Sequence, residues 1–290
     1  MKMPSSSGPE LLELCRRSVR GFRDHDMSSY AAALAYRTLF AIVPFLAFLV
    51  ALLGFLGIGG FFDWSVEQTR SVLQEQSAVV AEQLIRQIQY QAGSELLLSM
   101  VVLAMWSVSR GVKSLTKALN VIYEVSESHP AWKKAVLPFL YALGLVATIA
   151  LASALLLIGP EVVERVVGLV GLDEVFIVLW AWLRLPIALV LLMLTVSVVY
   201  WAIPNVDYPY RLITPGAALA VIVWVLASLG FSFYLVTFAN YSVVYGSLGA
   251  AIALLLYFYI SAAVLLMGAE VNAAIYHYAS DSDVQGEERR

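Results

Sequence analysis

Residues 212–269 read LITPGAALAVIVWVLASLGFSFYLVTFANYSVVYGSLGAAIALLLYFYISAAVLLMGA, and Glu270 follows them. These 58 residues contain no Asp, Glu, Lys, Arg or His. A bilayer-spanning helix needs about 20 apolar residues, so the stretch predicts two crossings joined by a short connector. The only polar break lies at 240–247 and predicts a hairpin in which small residues let two helices meet. The residues assigned to this hairpin are Asn240, Tyr245, Gly246 and Gly249.

The composition agrees with a membrane protein. Hydrophobic residues make up 61% of the chain and charged residues 13%, whereas a soluble domain carries about 25% charged residues. The mean hydropathy is +0.81. A chain of 290 residues has room for several spans and short loops but not for a separate catalytic domain of ordinary size. Cys15 is the only cysteine, which excludes an intramolecular disulfide and a multi-thiolate metal site.

The apolar segments predict an all-α, polytopic membrane domain over residues 28–272. The six transmembrane helices are expected at about 30–57, 95–119, 135–158, 185–203, 214–238 and 247–271. Thr214-Pro215-Gly216 supplies an N-cap, a first-turn proline and a small residue, and therefore predicts where the fifth helix begins.

The second span is too short if it ends at its first charge. Only 14 uncharged residues separate Glu95 from Arg110, too few to cross about 30 Å of hydrocarbon at about 1.5 Å per residue. Its helix must therefore continue past Arg110. Arg110, Lys113 and Lys117 then lie on one face as a basic stripe.

Three segments outside the spans have their own patterns. Residues 1–27 predict a cytoplasmic leader and a basic amphipathic helix, which either lies on an anionic membrane surface or packs on the bundle. Residues 61–94 predict amphipathic helices outside the bilayer, between the first two spans, which are either interfacial or a docking surface for a periplasmic partner. Residues 273–290 are expected to form a cytoplasmic tail.

The distribution of basic residues predicts the orientation. With the N-terminus inside, the cytoplasmic segments carry 12 of the Lys and Arg residues and the external segments carry 3. Cytoplasmic loops are enriched in Lys and Arg. We therefore expect a multi-pass protein of the bacterial inner membrane with both termini in the cytoplasm.

Several ordered blocks of this chain resemble the YihY/BrkB family of bacterial inner-membrane proteins. The blocks are 31–40 (AAALAYRTLF) with Pro44, Ser109-Arg110-Gly111 leading to Leu119-Asn120 and Tyr123, Pro215-Gly216-Ala217, 245–249 (YGSLG) and 268–272 (GAEVN), and the match covers about 28–275. The resemblance implies a protein of the bacterial inner membrane. Members have carried the labels ribonuclease BN and virulence or serum-resistance factor, and have been suspected of taking part in envelope lipid transport.

The residues do not support nuclease chemistry. Metal-assisted phosphodiester cleavage needs clustered His and carboxylate ligands, and the three histidines, His25, His129 and His277, lack metal-ligand spacing. The sequence also contains no Ser-His-Asp arrangement and no P-loop. We therefore expect no catalytic residues, no metal, no cofactor and no nucleic-acid partner.

The charged residues within the predicted spans are the candidate site. Charges at membrane depth are costly, so they usually pair or line a cavity. Arg37, Arg110 and Glu270 all belong near the cytoplasmic half. One interpretation is a structural ion pair between Glu270 and one of these arginines. In the other, Arg37, Arg110 and Lys113 hold an anionic headgroup and Glu270 orients them.

Two hypotheses about function follow. The leading one is a transport or lipid-handling protein for an anionic lipid or amphiphile in envelope maintenance, with anionic membrane lipids as its partners. The alternative is a membrane anchor or assembly partner that binds a periplasmic protein through 61–94 and has no transport activity of its own.

Overall fold

The computed structural model describes residues 11–55, 66, 79, 82–83, 94–126, 136–138, 140–141, 143–144, 148, 174–204, 206, 212–237 and 242–288. All regular structure in this part of the chain is helical. The helices are α1 (Leu11–Asp24), α2 (Met27–Phe55), α3 (Ser94–Ile122), α4 (Glu174–Ala202), α5 (Pro215–Thr237) and α6 (Ser242–Glu288). The expected all-helical class is confirmed for these residues.

Helix α6 is the centre of the packing. It contacts α1, α2, α3 and α5, while α2 also packs along α3 and α4 packs along α5. The hydroxyl of Tyr200, near the end of α4, donates a hydrogen bond to the Leu265 carbonyl oxygen of α6 at 2.5 Å. All the described long helices are therefore tied, directly or through one neighbour, to α6.

The tightest packing lies at one end of the bundle. Five helices contribute to its apolar core. The contributing parts are the first two turns of α2 around Ala31, the last turns of α3 around Leu119, the end of α4 with the following Ile203, the start of α5 at Ala217 and the middle of α6 around Ala269. Helix α1 lies against this same end through Phe22. Five of the sixteen buried core residues are alanines, and such small residues let membrane helices approach closely.

Within the described ranges, three helices are long and apolar enough to cross a membrane. The segments are Trp182–Ala202 in α4, Pro215–Leu235 in α5 and Ala251–Tyr278 in α6. They overlap the predicted spans at 185–203, 214–238 and 247–271. The first two predicted spans fall on α2 and α3, each of 29 residues, and α3 continues past Arg110 as the sequence required. Most of 135–158 and of 61–94 lies outside the described residues.

The N-terminal helix packs on the bundle. Helix α1 contacts α6 and, less extensively, α2. Ser18 is buried on the packed side, whereas Val19 is 60% exposed and Cys15 is exposed as well. The helix therefore meets the bundle through a face that includes Ser18 and Phe22.

The start of α6 differs from the prediction. The hairpin was expected to include Tyr245, Gly246 and Gly249, but α6 already begins at Ser242, so these residues lie in its first turns, and Asn240 lies outside the described residues. The segment from 273 onward continues α6 as a helix to Glu288, and its location in the cytoplasm stays a prediction. A polar residue such as Ser242 can open a helix, and the sequence contains no Gly or Pro between 269 and 285 that would end one.

Candidate functional site

The basic residues of α2 and α3 converge where the two helices pack. Arg37 Nη1 of α2 donates a hydrogen bond to the carbonyl oxygen of Arg110 in α3 at 2.9 Å. Both side chains are exposed. The Arg110 guanidinium carbon lies 4.2 Å from the centre of the Trp106 ring, a contact worth about 0.5–1 kcal/mol at an exposed position. The fold thus brings together the two arginines that were predicted as site residues.

One exposed face of α3 is divided into an apolar half and a basic half. Leu98, Val102 and Trp106 are 65%, 68% and 55% exposed. The same face continues, at three- and four-residue steps, into the exposed residues Arg110, Lys113 and Lys117. The basic half points towards the packed end of the bundle and the apolar half points away from it. Amphiphiles have this same division between a charged head and apolar chains.

Helix α2, beside α3, also has an exposed face on which apolar residues adjoin a basic residue. Phe40 and Val43 are exposed and follow Arg37 by one and two turns. The rings of Tyr36 and Phe40 stand 4.6 Å apart. Because α2 runs away from the packed end, these side chains extend the apolar surface on the same side of the arginines as Val102 and Trp106.

The basic residues of this surface have no acidic counterpart among the residues that the structure describes. Within the described residues, the ion pairs involve other side chains, and Arg37, Arg110 and Lys113 take part in none of them. Arg37 uses one donor on a backbone carbonyl, which leaves most of the five guanidinium donors directed outward. The surface can therefore accept an anion without first breaking a salt bridge.

Glu270 is buried elsewhere and has a different partner. Its side chain is 3% exposed, and its Oε1 lies 2.8 Å from Nδ1 of His25, in the turn after α1. The other ring nitrogen of His25 lies 3.9 Å from Glu124 Oε1, just past the end of α3. Glu270 thus belongs to a cluster with His25 and Glu124.

The expected ion pair between Glu270 and Arg37 or Arg110 is therefore not formed. From Arg110 to the end of α3 at Ile122 is 12 residues, which corresponds to about 18 Å along the helix. Glu270 lies at that far end, beside Glu124, and cannot reach the arginines. For the same reason it does not orient them, and the headgroup hypothesis rests on the basic residues alone.

A polar junction that the sequence did not indicate as a site joins α4, α5 and α6. Asn272 Oδ1 of α6 accepts a hydrogen bond from Gly216 N at 2.8 Å, and its Nδ2 donates to Thr214 Oγ1 at 2.9 Å. Thr214 Oγ1 also accepts from Ala217 N at 3.2 Å, which confirms the predicted N-cap. The buried Ser197 of α4 accepts from Thr214 N at 3.1 Å. The first backbone donors of α5 are thereby satisfied inside the protein.

Beside this junction, α5 and α6 cross in close contact through Gly216 and Gly268. A Cβ atom at Gly216 would overlap the Gly268 carbonyl oxygen and the Asn272 side chain. This contact lies at the opposite end of the helix pair from Gly246 and Gly249, where the small-residue contact that the sequence assigned to them stays a prediction. The blocks Pro215-Gly216-Ala217 and Gly268-Ala269 already contained Gly216 and Gly268, but nothing in the sequence paired them.

The described residues contain no group of three His, Cys, Asp or Glu side chains that could hold a metal ion. The clefts between the helices are apolar. A cleft of about 300 Å³ lies between α3, α4 and the helical residues around Tyr141, and its lining includes Leu115 and Leu194. It lies on the other side of α3 from the basic stripe.

Comparison with known proteins identifies relatives over most of the chain. The profile of a family described as "Virulence factor BrkB" matches residues 18–290. The chain is 31% identical over 256 residues to the "Putative ribonuclease-like protein YfkH" of Bacillus subtilis, covering 87% of this chain and 91% of that protein. It is 31% identical over 271 residues to a "UPF0761 membrane protein" of Chromohalobacter salexigens, covering 91% of this chain and 63% of that protein.

A further relative is also larger than this chain. The "UPF0761 membrane protein Smlt0865" of Stenotrophomonas maltophilia is 28% identical over 260 residues, which cover 88% of this chain and 58% of that protein. This chain therefore spans about 60% of the length of the two UPF0761 proteins. No solved structure matches it.

Proposed function

The chain belongs to the virulence factor BrkB family, and we propose that this membrane protein binds an anionic lipid or amphiphile and takes part in its transport during envelope maintenance. In this proposal the protein has six spans in the bacterial inner membrane, with both termini in the cytoplasm. The anionic group sits between Arg37 and Arg110, with Lys113 beside them, and the apolar chains lie along the exposed faces of α2 and α3.

The observation that carries the proposal is the convergence of Arg37 and Arg110 from two helices, with no acidic counterpart in the described part of the chain. The planar guanidinium group binds phosphate and carboxylate oxygens in pairs. Its charge is costly near hydrocarbon unless an anion or water accompanies it. A lipid phosphate supplies that anion at the depth where basic pockets between transmembrane helices bind lipid headgroups.

The surface around the arginines supports the same ligand. Exposed Val102 and Trp106 on α3 and exposed Phe40 and Val43 on α2 adjoin the arginines on one side only. A soluble anion would gain nothing from these side chains. An acyl chain contacts them while its headgroup stays on the arginines, so the arrangement favours an amphiphile over a free ion.

A simpler interpretation is that these residues are ordinary positive charges at a membrane surface, where Lys and Arg interact with many lipids in turn. The two interpretations differ in how much each residue matters. A general surface charge makes Lys117 equivalent to Arg110, whereas a built site depends on Arg37 and Arg110 and depends little on Lys117, two turns away on the same exposed face.

The relatives' ribonuclease label does not alter the proposal. The label is part of the name of YfkH, while other relatives are named only as membrane proteins. The proposed site contains arginine, lysine and tryptophan side chains, which bind anions and apolar chains but supply no metal ligand and no general base. We accordingly propose a non-enzymatic role.

The experiment is complementation of a bacterial strain that lacks its family member, scored by resistance to detergents that penetrate a weakened envelope. We expect Arg37→Gln and Arg110→Gln to insert in the membrane at wild-type levels and to lose at least tenfold in survival. Lys117→Gln, the matched control, should complement fully. Full complementation by both arginine variants, or equal loss in all three, would overturn the proposal.

A further inference from the structure

The buried carboxylate of Glu270 has no role in the proposed headgroup site, yet it is the centre of a second cluster. His25 approaches it from the turn after α1, and Glu124 approaches the other side of the same imidazole ring from the end of α3. One ring therefore faces two carboxylates from two further helices. We propose that His25 and Glu270 form a proton-binding site that fastens α1 to α6, so that loss of the shared proton loosens α1 from the bundle.

The contact between α1 and Glu270 is close. Gly21, one turn before His25, lies so near Glu270 that an added Cβ would stand 2.5 Å from Oε2. Helix α1 thus covers one oxygen of the carboxylate with its backbone while His25 holds the other. Water can reach this carboxylate only if α1 moves, which makes the charge of the pair and the position of α1 interdependent.

The direction of the pH effect on α1 follows from the negative charge that remains on Glu270 when the shared proton is lost. With one proton shared by the pair, the cluster is either an imidazolium beside a carboxylate or a neutral imidazole beside a carboxylic acid, and both states suit a buried site. Removal of that proton to water leaves a buried carboxylate without a countercharge, next to Glu124. A buried charge of this kind is strongly disfavoured, so raising the pH favours an undocked α1 that lets water reach Glu270.

Other titratable groups lie near α1 and have to be separated from the pair. His277, two turns after Glu270 on α6, has a buried Nε2 with no hydrogen-bond partner among the described residues. The neighbouring Tyr278 ring lies 5.8 Å from the Arg17 guanidinium of α1. From α4, the Tyr200 hydroxyl is engaged on a carbonyl oxygen of α6. His277 is the group whose protonation could imitate the proposed response.

Where α2 lies near the cluster of His25, Glu124 and Glu270, its buried residues are apolar. Met27 and Ala31, which follow the α1–α2 turn, are buried in the same core as Ala269. Asp26, within that turn, is exposed, and its Oδ1 accepts a hydrogen bond from Ser28. The cation that faces Glu270 among the described side chains is thus the one His25 provides when it carries both ring protons.

The test uses the single cysteine of the chain as a reporter on α1. Cys15 is exposed and lies on α1, so a nitroxide attached to it reports how firmly α1 is held in the full-length protein in lipid nanodiscs. We expect the ratio of mobile to immobile label to rise about tenfold between a pH of about 5.5 and about 8.5, a range that spans imidazole titration. Tenfold is roughly the factor that separates a charge-assisted from a neutral hydrogen bond.

Three variants decide which group is responsible. Glu270→Gln removes the carboxylate while keeping its shape and should abolish the pH response, and His25→Lys, with a fixed charge, should keep α1 immobile throughout the range. His277→Asn should respond like the wild type. The proposal is overturned if the wild-type spectrum does not change with pH, if Glu270→Gln responds like the wild type, or if His277→Asn abolishes the response.

Discussion

Arg37 of α2 donates a hydrogen bond from Nη1 to the main-chain carbonyl oxygen of Arg110 in α3, so two guanidinium groups share one exposed surface. Their like charges repel each other, more strongly where the local dielectric constant is low. The backbone bond fixes Arg37 without neutralising either group. An anion placed between the two side chains relieves the repulsion and gains hydrogen bonds from both.

Replacement of Arg37 by lysine tests whether the site needs a guanidinium group or only a positive charge. Lysine keeps the charge but is a compact ammonium group without the planar fork. We expect Arg37→Lys to bind anionic lipid about tenfold more weakly than the wild type, as measured by titration of fluorescent phosphatidylglycerol into the purified protein. Wild-type affinity in Arg37→Lys would mean that charge alone suffices.

Replacement of Trp106 by leucine tests the aromatic support of Arg110. The change keeps an apolar side chain on the exposed face but removes the ring beneath the guanidinium group. Because this contact contributes about 0.5–1 kcal/mol, lipid affinity should fall about two- to fivefold in the same titration. Leu98→Ala, farther along the same face, serves as the control for a general loss of apolar surface and should change the affinity less.

The crossing of α5 and α6 predicts a large difference between two glycines of one helix. Gly216→Ala places a methyl group against the Gly268 carbonyl oxygen, and such overpacking costs about 1–3 kcal/mol. Gly230→Ala, in the same helix, adds a methyl group that meets no described atom within 4 Å, and it should be neutral or stabilising by up to about 1 kcal/mol. Thermal denaturation in detergent, followed by size-exclusion chromatography, measures both. Equal melting temperatures would show that the crossing is not as close as described.

Asn272 predicts a loss of stability with a specific rescue. Asn272→Ala removes the acceptor for Gly216 N and the donor to Thr214, and an unsatisfied buried donor costs about 1–3 kcal/mol. Asn272→Asp keeps an acceptor at the N-terminus of α5, where negative charge is favourable, and should recover part of the loss. Thr195→Ala is the control, since that hydroxyl only bonds back to its own helix at Leu191. If Asn272→Asp melts lower than Asn272→Ala, the capping role is wrong.

The basic stripe of α3 could be predicted from the sequence because it depends on a single helix. Once the second span proved too short to end at Arg110, its helix had to continue, and the spacing of Lys113 and Lys117 placed them on the same face. The N-cap at Thr214 was equally local. The pairing of Arg37 with the Arg110 backbone depends on how α2 and α3 pack, which spacing along either helix does not determine.

The partner of Glu270 could not be predicted for a related reason. The sequence indicated that this carboxylate would be buried and paired, and both statements hold. His25 is 245 residues away in the chain and reaches Glu270 only because α1 turns its Ser18 and Gly21 side towards α6. Gly21 also lies close to Glu270. These contacts depend on how α1 packs on α6, which the residue spacing along α1 does not determine.

The central claim, an anionic-lipid site at Arg37 and Arg110, is tested most directly by native mass spectrometry of the protein extracted in mild detergent. The wild type should retain lipid, with phosphatidylglycerol or another anionic species enriched over phosphatidylethanolamine relative to the membrane. The double variant Arg37→Gln/Arg110→Gln should lose that enrichment, and Lys117→Gln should keep it. Retention of the same lipids at the same level by the double variant, or a wild type that carries no enriched anionic lipid, would contradict the claim.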